Sequence, residues 1–120
     1  MTARASNALL AFDPAKLTTD PAHALVAVVR VGTAPVGLVV VRGGRRIITA
    51  DSDRNNAAGA TTGLTVVDTH AALRHEPAAL GRIATGSFPR ECALSGDGGM
   101  LLVSDFLSDQ VQAINIHDLP

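Results

Sequence analysis

Tryptophan and tyrosine are absent and phenylalanine occurs three times, so aromatic residues make up 2% of this 120-residue chain. Large rings therefore cannot supply the core, and aliphatic side chains must carry the 47% hydrophobic fraction. Cysteine occurs once, at Cys92, which excludes an internal disulfide and a paired-cysteine metal site. Charge of one sign is also missing: ten Lys and Arg against eleven Asp and Glu leave a net charge of −1. Without a basic footprint, neither nucleic acid nor an anionic membrane is expected as a partner. No apolar run approaches the ~20 residues of a spanning helix, so membrane insertion is not expected. Met1 to Ser6 lacks the apolar stretch of a signal peptide.

What is present is Val, Ile, Leu and Ala, punctuated by eleven Gly and six Pro. Short β-branched runs between turn residues make an all-β chain, and the length suits one modest domain.

The chain repeats itself. Val31-Gly32-Thr33-Ala34-Pro35 aligns with Thr85-Gly86-Ser87-Phe88-Pro89 at an offset of 54 residues, and Ile47-Ile48-Thr49-Ala50-Asp51 aligns with Leu101-Leu102-Val103-Ser104-Asp105 in the same register. After a polar insertion around Asp53-Arg54-Asn55-Asn56, the offset becomes 47, and Leu64-Thr65-Val66-Val67-Asp68 meets Val111-Gln112-Ala113-Ile114-Asn115. Leu9-Leu10-Ala11-Phe12-Asp13 joins as a third copy of that last segment. A recurring period of this kind signals a stack of equivalent units.

β-branched runs predict nine strands, roughly 7–13, 25–31, 36–42, 45–51, 63–69, 80–85, 90–95, 100–105 and 110–116. Arg42-Gly43-Gly44-Arg45 and Gly96-Asp97-Gly98-Gly99 have the chemistry of tight hairpins, so neighbouring strands are expected to be antiparallel. Segments 14–24 and 70–79 have room for a helical turn kept short by Pro21 and Pro77. Four strands per ~45–55 residues is the arithmetic of a β-propeller blade, with a plain β-sandwich as the competing architecture.

The segments Val31-Gly32-Thr33-Ala34-Pro35-Val36-Gly37, Ile47-Ile48-Thr49-Ala50-Asp51 and Pro89-Arg90-Glu91 through Ser108-Asp109-Gln110-Val111 resemble the repeat of the YVTN family of β-propellers. That resemblance implies a partial propeller of just over two blades with an open ring: residues 1–35 the outer half of one blade, 36–88 a complete blade, and 89–120 three strands of the next. It implies a fragment acting as a binding or scaffold module without catalysis of its own. Its partners would be the remaining blades or other copies of the chain, together with a small ligand or protein. A periplasmic or secreted location would follow the family. The alternative is part of a lactonase-like hydrolase, because Pro89-Arg90-Glu91 is similar to the Pro-Arg-His of propeller lactonases, with Glu91 in place of His.

Candidate chemistry is sparse. Asp51 and Asp105 fall at the same end of equivalent strands, where their carboxylates either line a mouth that favours a cation or polar ligand or accept turn amides. Arg90 and Glu91 open an innermost strand: Arg90 offers a donor fork for a carboxylate or lactone oxygen and Glu91 an acid/base, or the two form a buried structural pair. Arg42, Arg45 and Arg46 surround a Gly-Gly hairpin, where they either contact phosphate or are solvated, and the second reading is preferred. Cys92 reads as a small buried hydrophobe. His23, His70, His75 and His117 are dispersed, so neither a metal nor another cofactor is expected.

Overall fold

The computed structural model describes all 120 residues, Met1–Pro120. The chain is mostly β, with ten strands in three antiparallel sheets, each a meander of consecutive strands. The first sheet holds β1 (Thr2–Ala3), β2 (Ala8–Phe12) and β3 (Leu25–Arg30). The central sheet runs β4 (Pro35–Val41), β5 (Arg46–Asp51), β6 (Gly63–Asp68) and β7 (Ala79–Ile83). The third is β8 (Pro89–Leu94), β9 (Met100–Asp105) and β10 (Gln110–Asn115). No sheet closes on itself.

All nine predicted strands are present to within one or two residues, and β1 is an addition. The first sheet therefore has three strands where two were expected. Two residues are too few to carry a periodic signal; β1 is held from outside instead. Met1 exchanges backbone hydrogen bonds of 2.8 Å with Leu10, and the Thr2 hydroxyl donates to the Val36 carbonyl at 2.9 Å.

The central sheet is buried on both faces because its sequence is apolar at both parities. Ile48, Ala50, Leu64 and Val66 face the third sheet and form one cluster with Val41, Leu101, Val103, Ile116 and Leu119. The intervening positions Ile47 and Val67, with Leu38, pack toward Leu9 and Val29 of the first sheet. Gly37 permits a close approach here: a Cβ at that position would run into the Arg90 carbonyl of β8.

The sequence repeat is reproduced in geometry. Ser52 and Asp53 donate their amides to the Ala34 and Thr33 carbonyls, and 54 residues on Phe106 and Leu107 donate to Phe88 and Ser87. Ala34 and Phe88 adopt the same left-handed backbone, with φ of 51° and 58°. β2–β3 and β6–β7 share a register irregularity at the equivalent step, between Ala11 and Phe12 and between Val66 and Val67. Asp13, Asp68 and Asn115, equivalent by sequence, each accept a hydrogen bond from an amide two or three residues on and open a helical turn. The first two of these turns are α1 (Pro14–Thr19) and α2 (Thr69–Leu73), the short helices expected before Pro21 and Pro77.

The hairpin at Arg42-Gly43-Gly44 uses three successive positive φ values of 52°, 63° and 88°. Glycine makes the last two accessible without strain. Arg45 is exposed as expected, but Arg42 and Arg46 are not merely solvated. Arg42 donates to the carbonyls of Ile116 (3.0 Å), His117 (3.2 Å) and Leu119 (3.0 Å), while Arg46 reaches the Pro120 carbonyl at 3.1 Å and Asp68 at 2.6 Å. These guanidiniums clamp the segment after β10 onto the central sheet, which the hairpin composition alone does not reveal.

The two end faces of the stack stay uncovered. Val28 beside Leu10 on the first sheet is 58% exposed. On the third sheet Leu102 (39%) and Val111 (68%) point away from the core with Ala113.

Candidate functional site

The loops at the carboxyl ends of β1, β5 and β9 gather on one side of the stack. Beneath them lie two buried carboxylates. Asp51 is fully buried at the end of β5 and accepts from Thr49 Oγ1 at 2.9 Å, Thr65 Oγ1 at 2.6 Å and Arg82 Nη2 at 3.1 Å. Arg82 also donates to Thr65 Oγ1 at 2.7 Å and to the Thr62 carbonyl at 2.9 Å. Burial pushes the Asp51 carboxyl above its ordinary range, while the Thr65 and Thr49 hydroxyls, the Arg82 charge and the Gly32 amide pull it back. Thr49, Asp51, Thr65 and Arg82 thus form one closed network across three strands.

Asp105 repeats the position with fewer partners. It is also fully buried, and its Oδ2 accepts from the Gly86 amide and Gln110 Nε2, both at 3.1 Å. Val103 stands where the central sheet has Thr49, and Gln112 where it has Thr65; the Gln112 side chain accepts from Gly86 at 3.0 Å. Asp105 Oδ1 has no partner. Both carboxylates therefore turn inward to receive the Gly32 and Gly86 amides, and neither lines an open mouth. The glycines are required by this approach, since a Cβ on either would collide with the carboxylate or its neighbours.

Above this layer runs a cleft of about 500 Å³ in which Arg4, Arg54 and Arg90 converge with Glu91, Phe88, Phe106 and Leu107. Phe88 and Phe106 meet edge to face at 5.6 Å between centroids, and the Arg90 guanidinium lies 5.8 Å from the Phe106 ring. Arg90 and Glu91 are not a buried pair. Their side chains are 54% and 76% exposed and 3.9 Å apart, so solvent screens what attraction they have. The β8–β9 register shifts between Pro89 and Cys92, and both side chains open into the same cleft at the edge strand of the third sheet. Arg54 also lines an adjoining cleft of about 510 Å³ with Ser52, Ser87 and Ser108.

The cleft brings together three arginines, 4, 54 and 90, of which the sequence singled out only Arg90. The repeat could have found the others: Arg4 begins the turn equivalent to Phe106–Ser108, and Arg54 sits in the insertion that follows the equivalent strand end of the central sheet.

Outside this face the remaining candidates are ordinary. Cys92 is half-buried between the sheets, and burial, followed by the nearby Glu91, Asp51 and Asp105 charges, pushes its thiol up to about 11. His23 meets Asp20 at 3.0 Å on the surface, and no group of three or more His, Cys, Asp or Glu side chains gathers in the chain. No helix is long and apolar enough to cross a membrane. Comparison with protein families finds no family model that matches this chain, and comparison with curated proteins finds no significant match.

Proposed function

We propose that the chain is part of a YVTN-type β-propeller and serves as a binding or scaffold module through its loop-side cleft. The observation that carries this reading is the geometric repeat: equivalent turn hydrogen bonds, left-handed residues, strand irregularities and buried aspartates recur from sheet to sheet. A stack generated by one repeated step presents at its ends the same faces that it buries at its centre. Leu102, Ser104, Val111 and Ala113 occupy the positions of Ile48, Ala50, Leu64 and Val66, which the third sheet covers completely. In this reading the uncovered faces are interfaces for further blades, drawn from a longer protein or from other copies. The binding role is supported by Arg4, Arg54 and Arg90, which outnumber the one carboxylate, Glu91, in a partly aromatic cleft. Titration of the chain with carboxylate and phosphate compounds tests it. Binding that weakens when Arg54 and Arg90 are replaced by Ala supports the role, and unchanged binding refutes it.

A second reading, lactonase-like hydrolysis, is favoured by one observation: Arg90 is exposed in the cleft, where its donors are free to reach a lactone oxygen. Lactone turnover that falls on Arg90→Ala would support it. Equal rates would remove it.

A further inference from the structure

One of the loops on the cleft side of the stack breaks the repeat. Residues 4–7 join β1 to β2 and residues 106–109 join β9 to β10, but residues 52–62 join β5 to β6. Four residues close the equivalent turn twice, so the extra length of the central loop is not needed for strand pairing. Added residues in one copy of a repeat map to the face that binds. The neck of this loop is pinned: the Thr33 carbonyl accepts from the Asp53 amide at 3.0 Å, and Thr33 Oγ1 accepts from the Thr61 amide at 2.9 Å. Residues 54–59 beyond the neck are exposed and bring Arg54 to the cleft. We infer that this loop and the cleft beside it hold an extended acidic peptide segment of a partner protein, with its carboxylates on Arg4, Arg54 and Arg90 and an apolar side chain against Phe106 and Leu107. The inference rests on the reading of the cleft as a binding site and names the partner's chemistry.

The guanidiniums supply a second, independent observation. Arg42, Arg45, Arg46, Arg74 and Arg82 all donate side-chain hydrogen bonds to acceptors of the chain itself. Arg4, Arg54 and Arg90 donate none, and Arg90 only faces Glu91 at 3.9 Å. Arg30, on β3 and outside the cleft, is the one other arginine in that condition. Three donor forks without acceptors around one cleft suit carboxylates, each of which takes two donors at once. The ligand is extended because the cleft continues on both sides. It shares Arg54, Phe88 and Leu107 with the cleft of about 510 Å³ along Ser87 and Ser108, and Arg4 and Arg54 with a third of about 500 Å³ along Thr33 and Asn55. Joined in this way they exceed the ~300–1,000 Å³ of a small-molecule site. The side-chain amides of Asn56 and Asn55 line the two outer clefts and form no hydrogen bond in the chain, so they match the donors and acceptors of a peptide backbone. Phe106 and Leu107, 57% and 67% exposed, form an apolar rim that a purely charged ligand would leave in water. A nucleic acid fits less well: the Arg90 guanidinium lies over the Phe106 ring on which a base would stack, and Glu91 would meet its phosphates.

The test uses the full 120-residue chain. Its probes are the end-blocked peptide Glu-Asp-Phe-Asp-Glu, the uncharged counterpart Gln-Asn-Phe-Asn-Gln, N-acetylglutamate, inorganic phosphate and a short oligothymidylate. Affinity is measured by calorimetry, and the site by NMR shift changes at residues 54–59 and Leu107. The acidic peptide is expected to bind at least about tenfold more tightly than the uncharged peptide or N-acetylglutamate. Arg54→Gln should weaken it about threefold, whereas Arg30→Gln, outside the cleft, should leave it unchanged. N-acetylglutamate binding as tightly as the peptide, and weakened by Arg54→Gln, overturns the extended partner and leaves the binding role of the cleft standing. Oligothymidylate binding more tightly than the peptide overturns the acidic partner in favour of a nucleic acid. Peptide affinity unchanged by Arg54→Gln overturns the assignment of the loop. Failure of every probe to bind overturns the inference and the binding role together.

Discussion

Replacing Arg82 by Met keeps the side-chain length and removes the only cation in the Asp51 network. Removing one partner of a buried ion pair costs about 3–5 kcal/mol when the other is left uncompensated. Two features reduce that figure here. The Arg82 side chain is 32% exposed, and Asp51 retains the Thr49 and Thr65 hydroxyls and the Gly32 amide. The expected loss at neutral pH is therefore about 2 kcal/mol, or about 8 °C in Tm for a domain of this size. The pH dependence is the sharper signature. Burial already raises the folded-state Asp51 carboxyl above its ordinary value of 3.8, and Arg82 opposes that rise. A raised folded-state carboxylate binds more protons than the unfolded one, so its contribution is greatest below the unfolded value and is lost as pH rises through the folded value. Without Arg82 the folded value climbs further. The deficit of Arg82→Met should thus be widest near pH 7 and narrow as the pH falls and Asp51 is protonated. Urea melts of both proteins at pH 4 to 7 check this. A deficit that stays constant across the range, or no deficit at pH 7, would show that Arg82 does not compensate the buried Asp51 charge.

The other expectations concern single contacts. Gly86→Ala places a Cβ against Gln110 Nε2, Ser108 Oγ at 2.8 Å and Asp105 Cβ at 3.0 Å, and should cost about 1–3 kcal/mol by chemical denaturation. Arg42→Ala should free the segment after β10, seen as faster amide exchange at His117 and Leu119 with little change at Val66. With a thiol pushed up to about 11, Cys92 should react slowly with a disulfide reagent at pH 8 and faster as the pH approaches that value; reaction at pH 8 as fast as a free thiol would contradict its packing.

Strands were legible because their signal is local. β-branched runs bounded by Gly and Pro located β2 to β10, and the offset of 54 already paired Asp51 with Asp105 and Gly32 with Gly86. β1 was hidden because two residues have no period, and its pairing depends on Leu10 and Val36 elsewhere in the chain. The site was less visible for a related reason. Arg4 and Arg54 lie in loops of the first and central sheets and Arg90 on β8 of the third, and only the stacking of those sheets brings them to one cleft. The fate of Arg42 and Arg46 depended on where the residues after β10 return, which no feature of the hairpin specifies. Asp51 and Asp105 were identified as equivalent, but whether they faced solvent or turn amides was decided by the close approach of Gly32 and Gly86.

On the proposed reading, the two uncovered sheet faces are interfaces of a repeating stack. Sedimentation equilibrium of the purified 12.3 kDa chain tests it most directly. Contiguous exposed aliphatic surface of this kind favours association. Species heavier than the monomer are expected at about 100 μM, well above the micromolar range of modest interfaces, returning to monomer when Leu102 and Val28 are both replaced by Glu. A wild-type chain that remains strictly monomeric at that concentration would contradict it.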